Sequence, residues 1–370
     1  LVPLRHDDMW ACFDPDILRW VAVWQAPKGK SPITYDSMAA VSFPDKKAKS
    51  NRPPRMQGEM LLAFPGLTKQ EIEQDIRKNK LLSGESSVGP LPLSEGRWLG
   101  LKLIGTTPVL RYRVDGKVVH QVVASDAEHS FVLKTQSAGE EASQVTRYPR
   151  ANPDSPQTVS GKRLVVSGHA TPLFPQVYAS VNAEQKQQGP FGVRVVSFPD
   201  SPRPVRPTDM AFLKDGAAMV STFDGDIWRV GNLHTGKSNW TRVATGLFEP
   251  MAIEVTLDGK VFTLGRDQIT QLIDHNGDGH IDEFRCASDA ILQTMHTRDF
   301  ATSMTIGEDG AFYVAKGGID SMGTAHNKEM SMHRGALLRI PPDGRKAEVL
   351  ADGLRMPYVG VRSDGMVFAS

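Results

Sequence analysis

Short apolar runs separated by polar turns recur through the second half of the chain. Four segments share one pattern, in which an apolar strand, an Asp-Gly pair and a second apolar strand follow each other: 209–222, 251–265, 302–317 and 358–370. Asp-Gly between apolar runs is a strong hairpin signal, because glycine adopts the positive φ that tight turns require. The pattern therefore predicts four β-hairpins.

Further strands complete a longer repeat. The Asp-Gly pairs begin at 215, 258, 309 and 364, so they are 43, 51 and 55 residues apart. Each complete unit continues with a third and a fourth strand, predicted at 226–230 and 240–245, at 269–273 and 282–287, and at 336–340 and 347–352. Four antiparallel strands in a little over 40 residues are typical of a β-propeller blade. We expect blades over 208–370, truncated in the fourth, and hence a longer parent protein.

The first part of the chain has a different organisation. Residues 1–145 predict a β-rich, sandwich-like module, with strands around an acidic turn in 10–24 and three strands in 97–125. One amphipathic helix is predicted at 68–82, where Thr68 and Glu71 occupy capping-box positions. Residues 146–207 hold ten of the 25 prolines and predict an ordered connector with a strand at 162–168. The expected fold class is mainly β.

Charge and composition narrow the classes of function. The chain has 43 Lys and Arg residues against 42 Asp and Glu. No strongly basic face is therefore expected, which argues against a nucleic-acid partner. No apolar run is long enough to span a membrane. The first residues, LVPLRHDDMW, resemble neither a start nor a signal peptide, so we expect a processed or shortened chain.

The two cysteines, Cys12 and Cys286, are distant in sequence. They form no CxxCH motif, so covalent c-type haem attachment within this chain is excluded. Two buried thiols are favoured over a disulfide, because small apolar packing is the common role of a cysteine outside a disulfide.

The stretch DHNGDGHIDEF, residues 274–284, resembles half of a calcium-binding EF-hand loop, although Arg285 stands where a bidentate glutamate is expected. It joins the third and fourth strands of a blade, so no flanking helices are predicted. Two interpretations fit, a structural Ca²⁺ site or a metal-free Asp/Asn/Gly turn. Because converging carboxylates repel one another without a cation, we favour calcium. The predicted ligands are Asp274, Asn276, Asp278, the carbonyl of His280, and Asp282.

A second polar insert lies in the third unit, at 319–335. It carries five potential soft ligands: Met322, His326, Met330, Met332 and His333. Thioether and imidazole groups suit copper or haem iron. A surface loop whose methionines pack against a neighbouring domain is the favoured alternative. In either case the loop is a candidate for a pocket or a partner surface.

The blades, especially 304–318 and 272–284, resemble the sugar/sorbosone-dehydrogenase type of propeller. More narrowly, they resemble the haem-associated membrane-bound dehydrogenase proteins of Planctomycetes and Verrucomicrobia. The stretch MWACFDPDILRWVAVW, residues 9–24, is similar to the uncharacterised domain that precedes such propellers. This resemblance implies an exported, periplasmic protein that works with an attached or partner c-type cytochrome, with haem c outside this chain. It also implies carbohydrate as a partner and pyrroloquinoline quinone as a candidate cofactor.

In quinoprotein sugar dehydrogenases, a catalytic histidine stands a few residues before the strand pair that corresponds to 304–318. This chain has Asp299 at that place, with Arg298 beside it and His296 three residues earlier. An aspartate can also act as a base, and an arginine can hold an anionic ligand. We therefore take these three residues as the catalytic candidates, and ordinary loop residues are the alternative. The departure leaves two classes of function, a redox module and a non-catalytic scaffold for glycans or proteins.

Overall fold

The computed structural model describes residues 2–4, 8–30, 32, 56–64, 90–172, 176–182, 186–201, 205–292, 300–318, 333–362 and 364–370. Every helix-or-strand element in these residues is a β-strand, which confirms the mainly β fold class. The chain divides into two compact units. Unit 1 is built on Leu1–Gly168, and unit 2 comprises His169–Ile291, Phe300–Ile319 and His333–Ser370.

Unit 1 contains two antiparallel sheets. The first has the order β1-β2-β3-β4, and the second has the order β10-β9-β8-β7-β6-β5. The strands of the first sheet are β1 (Val2–Pro3), β2 (Met9–Asp14), β3 (Arg19–Gln25) and β4 (Glu59–Ala63). Those of the second are β5 (Gly96–Ile104), β6 (Thr107–Val114), β7 (Lys117–Ser125), β8 (Phe131–Ser137), β9 (Ser143–Tyr148) and β10 (Gln157–Gly161).

The core of unit 1 lies between these two sheets. Strand β7 alternates buried and partly exposed residues along its length, as a half-buried strand must. Its buried Val123 packs with Leu110 of β6 and with Trp20 and Val23 of β3 in one cluster. The indole nitrogen of Trp20 donates to Gln121 Oε1 at 3.0 Å, which satisfies a polar group inside this core. The predicted sandwich-like packing and the three strands of 97–125 are therefore present.

Two further predictions for the first part of the chain have different outcomes. The helix expected at 68–82 lies outside the described residues. The strand expected at 162–168 is wrong, since β10 ends at Gly161. Side chains satisfy that backbone instead: Ser143 donates its hydroxyl to the carbonyl of Lys162, and the amide of Leu164 donates to Gln136 Oε1. A chain that bonds to side chains in this way needs no neighbouring strand.

The balance of charges over the whole chain did not predict the composition of the second sheet. Strands β5 to β10 contain seven Lys and Arg residues and no Asp or Glu. Even totals therefore conceal this local separation of charge, and the expectation that no face is strongly basic stays a prediction.

Unit 2 contains three complete antiparallel sheets and the first hairpin of a fourth. Blade 1 is β14 (Pro207–Phe212), β15 (Ala218–Thr222), β16 (Ile227–Gly231) and β17 (Lys237–Ala244), with β11 (Val177–Val181) added beside β17. Blade 2 is β18 (Ala252–Val255), β19 (Val261–Leu264), β20 (Ile269–Ile273) and β21 (Glu283–Ser288). Blade 3 is β22 (Ala301–Ile306), β23 (Phe312–Lys316), β24 (Ala336–Ile340) and β25 (Glu348–Ala351). The fourth hairpin is β26 (Val359–Val361) and β27 (Val367–Ala369), and β12 (Lys186–Gln188) pairs separately with β13 (Phe191–Val193).

The first strands of successive blades are neighbours. Strand β14 lies beside β18, β18 beside β22, and β22 beside β26, as expected for inner strands around a propeller axis. Equivalent hydroxyl groups join them, since Thr208 donates to the carbonyl of Pro250 and Thr302 donates to the carbonyl of Pro357. The repeat predicted from the Asp-Gly spacing is therefore a structural repeat, with the strand order that the sequence indicated.

Two remaining expectations concern the chain as a whole. Cys12 and Cys286, both described, form no disulfide. Within the described ranges, no helix has the length and apolar character to cross a membrane.

Candidate functional site

One end of the blades of unit 2 gathers buried charged residues. In each blade, the first strand starts where the second strand ends, so both termini lie at the same end of the sheet. The register shows this directly, because Pro207 pairs with Thr222 in blade 1 and Ala301 pairs with Lys316 in blade 3. The segments between blades and the turns after the second strands therefore meet at this end, which we call the mouth of unit 2.

Lys316 is the most unusual residue of the mouth. It ends β23 and has 0% of its surface exposed. The equivalent residues in the first two blades are Thr222 and Gly265, both small and uncharged. Burial, and then the positive charge of Arg266, lower the pKa of Lys316 to about 7. A lysine in this state is a competent proton acceptor near neutral pH, which an ordinary solvated lysine is not.

Arg266 follows the second strand of blade 2 and is fixed by an ion pair. Its guanidinium lies 2.9 Å from the carboxylate of Glu249, and both side chains are almost completely buried. Burial raises the pKa of Glu249, while Arg266 and Arg206 oppose that shift. The guanidinium of Arg266 also lies over the ring of Phe300, 5.5 Å from its centroid. These contacts hold the guanidinium in place, and its positive charge contributes to the lowered pKa of Lys316.

Arg206 lies at the same end of blade 1, immediately before its first strand β14. It donates two hydrogen bonds to the carboxylate of Asp224, and its guanidinium lies over the ring of Phe223 at 5.3 Å. The same construction, an arginine held by a carboxylate and stacked on a phenylalanine, thus occurs twice at this end. Such bidentate and stacked contacts hold a guanidinium in one orientation.

His333 lies close to Lys316 at the start of blade 3's third strand. It is buried, and this burial together with the charge of Lys316 lowers its pKa to about 4. His333 is therefore neutral at physiological pH and can exchange hydrogen bonds without adding charge. Of the five residues singled out in the 319–335 insert, His333 is described, and the other four lie outside the described residues.

A second group of acids lines the inner strands. Asp209 of β14 accepts the amide of Ile253 at 3.0 Å, and burial raises its pKa. Glu254 of β18 also has a raised pKa, first through burial and further through the charge of Asp209, while a hydrogen bond with Thr305 opposes the rise. These acids brace neighbouring inner strands.

The predicted calcium loop has the geometry of a closed turn. Asp274 accepts the amides of Gly277 at 2.7 Å and Gly279 at 2.8 Å, and Asp278 accepts the amide of His280 at 2.8 Å. Asn276 donates from its side chain to Asp278 at 3.0 Å. The carboxylates thus bind backbone amides of their own loop, as in Asx turns.

Asp282 has a different role from the other predicted ligands. It is buried, and it accepts the amides of His275 at 2.7 Å and Ala170 at 2.5 Å. His169 Nδ1 lies 3.5 Å from Asp282 Oδ2, the oxygen that also accepts the amide of His275. Across the described residues, no three His, Cys, Asp or Glu side chains converge in a way that would hold a metal ion. Calcium binding by this loop stays a prediction.

The catalytic candidates His296, Arg298 and Asp299 lie outside the described residues. The strand that their segment enters is described, however, and Ala301 at its start pairs with Lys316. The amide of Gly317 also donates to the carbonyl of Phe300 at 2.9 Å. The sequence thus pointed to the end of blade 3 at which Lys316 lies, but it did not single out Lys316, Arg266 or Glu249, and the catalytic role of the three candidates stays a prediction. A comparison of repeats could have found Lys316, since a lysine stands where the other blades have small residues.

The model of a domain of unknown function, DUF6797, matches residues 11–121, which lie in unit 1. A search of curated proteins found no match.

Several solved structures resemble the chain in fold. One, provisionally described as an oxidoreductase (glucose dehydrogenase) from Thermus thermophilus, is 21% identical with a TM-score of 0.36. The match covers 45% of this chain and 57% of that protein, so the chain spans little more than half of its length. A gluconolactonase from Xanthomonas campestris is 12% identical with a TM-score of 0.33, and the match covers 75% of this chain and 84% of that protein.

Proposed function

We propose that the chain is an exported, redox-associated β-propeller protein that acts on a CH–OH group of a sugar or alcohol. In this proposal it works with an attached or partner c-type cytochrome. The observation that supports it is Lys316, a fully buried lysine at the mouth, beside the point where the segment with His296 and Asp299 enters blade 3.

The chemistry follows from the state of this lysine. Oxidation of CH–OH to C=O releases two protons and two electrons. The neutral amine of Lys316 accepts the hydroxyl proton, which requires an approach of about 3 Å. Arg266 provides positive charge beside the developing alkoxide, and Glu249 holds Arg266 in place. The C–H hydrogen would leave with its two electrons as a hydride to a two-electron acceptor on the partner, and that acceptor would then release a proton and reduce two c-type haems by one electron each.

The described residues of the mouth do not fit a quinone that carries several carboxylates, such as pyrroloquinoline quinone. That group would need cations open to it. Arg206 is instead bound to Asp224, Arg266 is bound to Glu249, and Lys316 has no exposed surface. Lys316 is therefore assigned a role in proton transfer alone.

A non-catalytic scaffold that binds glycans or proteins is the second candidate. The complete burial of Lys316 favours the scaffold, since a substrate would reach this amine only if the mouth opened. In that case Lys316, Arg266 and Glu249 would fix blade packing and would touch no substrate.

Turnover measurements separate the two candidates. The full-length protein with its cytochrome partner would be assayed on a panel of sugars and alcohols, with an artificial electron acceptor in parallel. Under the redox proposal, kcat/KM rises with pH through about 7 as Lys316 loses its proton. In Lys316→Met, kcat/KM falls by roughly 100-fold or more. The control is Lys260→Met, which changes an exposed lysine of blade 2.

The other possible results of these measurements also distinguish the two candidates. Full turnover in Lys316→Met would show that another residue accepts the proton, and His296→Ala and Asp299→Ala would then be measured. No turnover in the native protein, together with intact glycan binding, would reject the redox proposal in favour of the scaffold.

A further inference from the structure

The outermost strand of blade 1 has an open edge. Strand β11 stands at the end of its sheet, and within the described part of the chain it has a strand partner, β17, on one side only. The two strands pair in antiparallel register, from Val177 opposite Thr241 to Val181 opposite Lys237. The other edge of β11 therefore faces away from the blade.

The hydrogen bonds of β11 show which residues point to this edge. The amide of Asn182, the next residue in the register, donates to the carbonyl of Gly236 at 2.9 Å. In an antiparallel ladder, hydrogen-bonded pairs alternate with pairs whose amides and carbonyls point away. Ser180 and Tyr178 therefore bond to β17 in turn. The amides and carbonyls of the three residues between them point to the open edge: Val177, Ala179 and Val181.

The side chains of the same three residues are exposed. Val177 and Val181 retain 55% and 69% of their accessible surface, and Ala179 between them is also exposed. Among the described residues, no backbone hydrogen bond from outside the ladder reaches any of the three. The open edge thus combines backbone groups that can form a further ladder with apolar side chains that water surrounds.

An edge of this kind is normally protected against pairing with another chain. Charged side chains or a proline on the strand are common means of protection. The outer strand of blade 3, β25, follows this rule, since it begins with Glu348. Strand β11 has the sequence VYASV, with neither a charge nor a proline. We therefore expect its edge to be covered in the native assembly.

The sequence of β11 is complementary to a second copy of itself. A two-fold axis at Ala179 would pair two antiparallel β11 strands over their whole length. Val177 would then face Val181 of the second copy, and these would be hydrogen-bonded pairs, because their amides and carbonyls point to the edge. Pairs of β-branched side chains across two strands stabilise a sheet. The strand therefore suits its own copy better than it suits an unrelated segment.

An exposed aromatic ring adds to the surface on the other face of the sheet. Phe198 is 55% exposed, and its ring centroid lies 6.0 Å from that of Trp240 in β17. Trp240 is directly opposite Tyr178 of β11, so Phe198 lies on the Tyr178 face. Two paired five-residue strands alone bury less area than a stable interface needs. Apolar side chains on both faces of the edge can supply the remainder.

We propose that the chain forms a two-fold symmetric homodimer in which the β11 strands of two copies pair antiparallel about Ala179. The pairing joins blade 1 of both copies into one continuous sheet. Each copy uses its open edge in the contact, so the assembly closes as a dimer and does not grow into a filament. This proposal does not rest on the proposed function.

Charges introduced at the axis test this pairing. In the dimer, the two Ala179 residues are directly opposite each other, with about 5.5 Å between their Cα atoms. Ala179→Lys and Ala179→Asp each place like charges there, which destabilises a ladder. An equimolar mixture of the two variants places opposite charges there and should restore the dimer. The control is Leu257→Lys, which adds a charge at a 93% exposed position in a turn of blade 2.

Sedimentation equilibrium of the full chain would give the dimer dissociation constant, and thermal melting would verify that each variant folds. We expect a concentration-dependent dimer in the wild type and in Leu257→Lys. Each Ala179 variant alone should dissociate at least about tenfold more readily, because juxtaposed like charges oppose association. The mixture should recover most of the wild-type affinity.

Amide hydrogen exchange provides a second readout. The amides of Val177, Ala179 and Val181 should exchange slowly in concentrated wild-type protein and fast after dilution. Those of Tyr178 and Ser180, which bond to β17, should stay slow at both concentrations. A dimer that Ala179→Lys leaves intact, or a mixture no tighter than either variant, would overturn the proposal. A wild type that sediments as a monomer would also overturn it and would leave the edge to a strand of another protein.

Discussion

Glu249 and Arg266 form an ion pair of 2.9 Å in which both side chains are almost completely buried. Glu249 adopts a positive φ of 44°, a conformation that is uncommon for a residue with a side chain. The backbone is thus held in an unfavourable state at the residue that pairs with the arginine. Strained residues that persist are over-determined by their surroundings, and here the ion pair supplies that constraint.

Removal of one partner of this pair should be strongly destabilising. Glu249→Gln leaves the buried guanidinium without its countercharge, so we expect a loss of about 3–5 kcal/mol in the free energy of unfolding. The double variant Glu249→Gln/Arg266→Met should recover part of this loss, because no buried charge is then left behind. Urea denaturation provides the measurement.

The exposed pair of Arg362 and Asp364 is the control. Asp364→Asn should change stability by less than about 0.5 kcal/mol, since solvent screens exposed pairs. Equal effects at the two sites would show that the burial of Glu249 has no energetic consequence.

Lys316 should give the protein a distinctive dependence on pH. Its pKa is about 7 in the folded chain, well below the ordinary lysine value of 10.5. Between these values the unfolded chain binds one more proton than the folded chain, so stability rises with pH. The penalty of burying Lys316 is complete below pH 7 and disappears above about 10.5. The slope from this residue is at most about 1.4 kcal/mol per pH unit.

The comparison of wild type with Lys316→Met isolates this contribution, because other titrating groups cancel in the difference. We expect the variant's advantage in unfolding free energy to shrink as the pH is raised from 7 toward 10. Urea titrations at several pH values would measure it. A difference that stays constant over this range would mean that Lys316 is protonated in the folded state.

The repeat architecture could be predicted from sequence because it depends on local signals. Asp-Gly turns and apolar strands recur in each blade. Because the pattern occurs four times, the strands can be assigned even where one copy is ambiguous by itself. The strand expected at 162–168 failed for the converse reason. Its apolar run is similar to a strand, but the partners of Lys162 and Leu164 are the side chains of Ser143 and Gln136. Contacts between residues that are distant in sequence cannot be recognised from the local pattern of apolar and polar positions.

The candidate site was predictable only in its position. The family resemblance led to the segment that enters blade 3, and Lys316 pairs with the first residue of that blade. Arg266 and Glu249 are separated by 17 positions and carry no motif, so only the fold brings them together. The chemistry of Lys316 likewise depends on its burial, which the sequence alone does not give.

The loop at 274–282 should respond to calcium if the sequence prediction is correct. Calcium would bind the oxygens of Asp274, Asn276 and Asp278 at about 2.3–2.6 Å and replace part of their present hydrogen bonding. Saturation at 100 times Kd would stabilise the folded state by about 2.7 kcal/mol. We therefore expect a lower melting temperature after chelation, and restoration by calcium but not by magnesium.

The control for this loop is Asp278→Ala, which should abolish the response to calcium. A melting temperature that is indifferent to both calcium and chelator would leave the loop as an Asx turn. Its hydrogen bonds would then suffice, because Asp274 alone accepts three backbone amides.

Gly335 tests how closely the turn before the third strand of blade 3 packs against the segment that follows the fourth strand of the same blade. It precedes the third strand of blade 3 with a φ of 57°, and a Cβ added there would overlap the carbonyl oxygen of Leu354, whose amide binds Gly335. Gly225 is in the same relation to Leu247 in blade 1. Gly335→Ala should therefore combine backbone strain with a steric clash and lower the free energy of unfolding by about 2–4 kcal/mol.

Gly216 separates these two contributions. Its φ is 81°, but a Cβ added there meets nothing within 4 Å, so Gly216→Ala carries the backbone strain alone. We expect it to cost about 1 kcal/mol, and we expect Gly225→Ala to match Gly335→Ala. Denaturation curves of the three variants would be compared at one pH. If Gly335→Ala costs no more than Gly216→Ala, the contact with Leu354 is loose, and the glycine is required only for its turn.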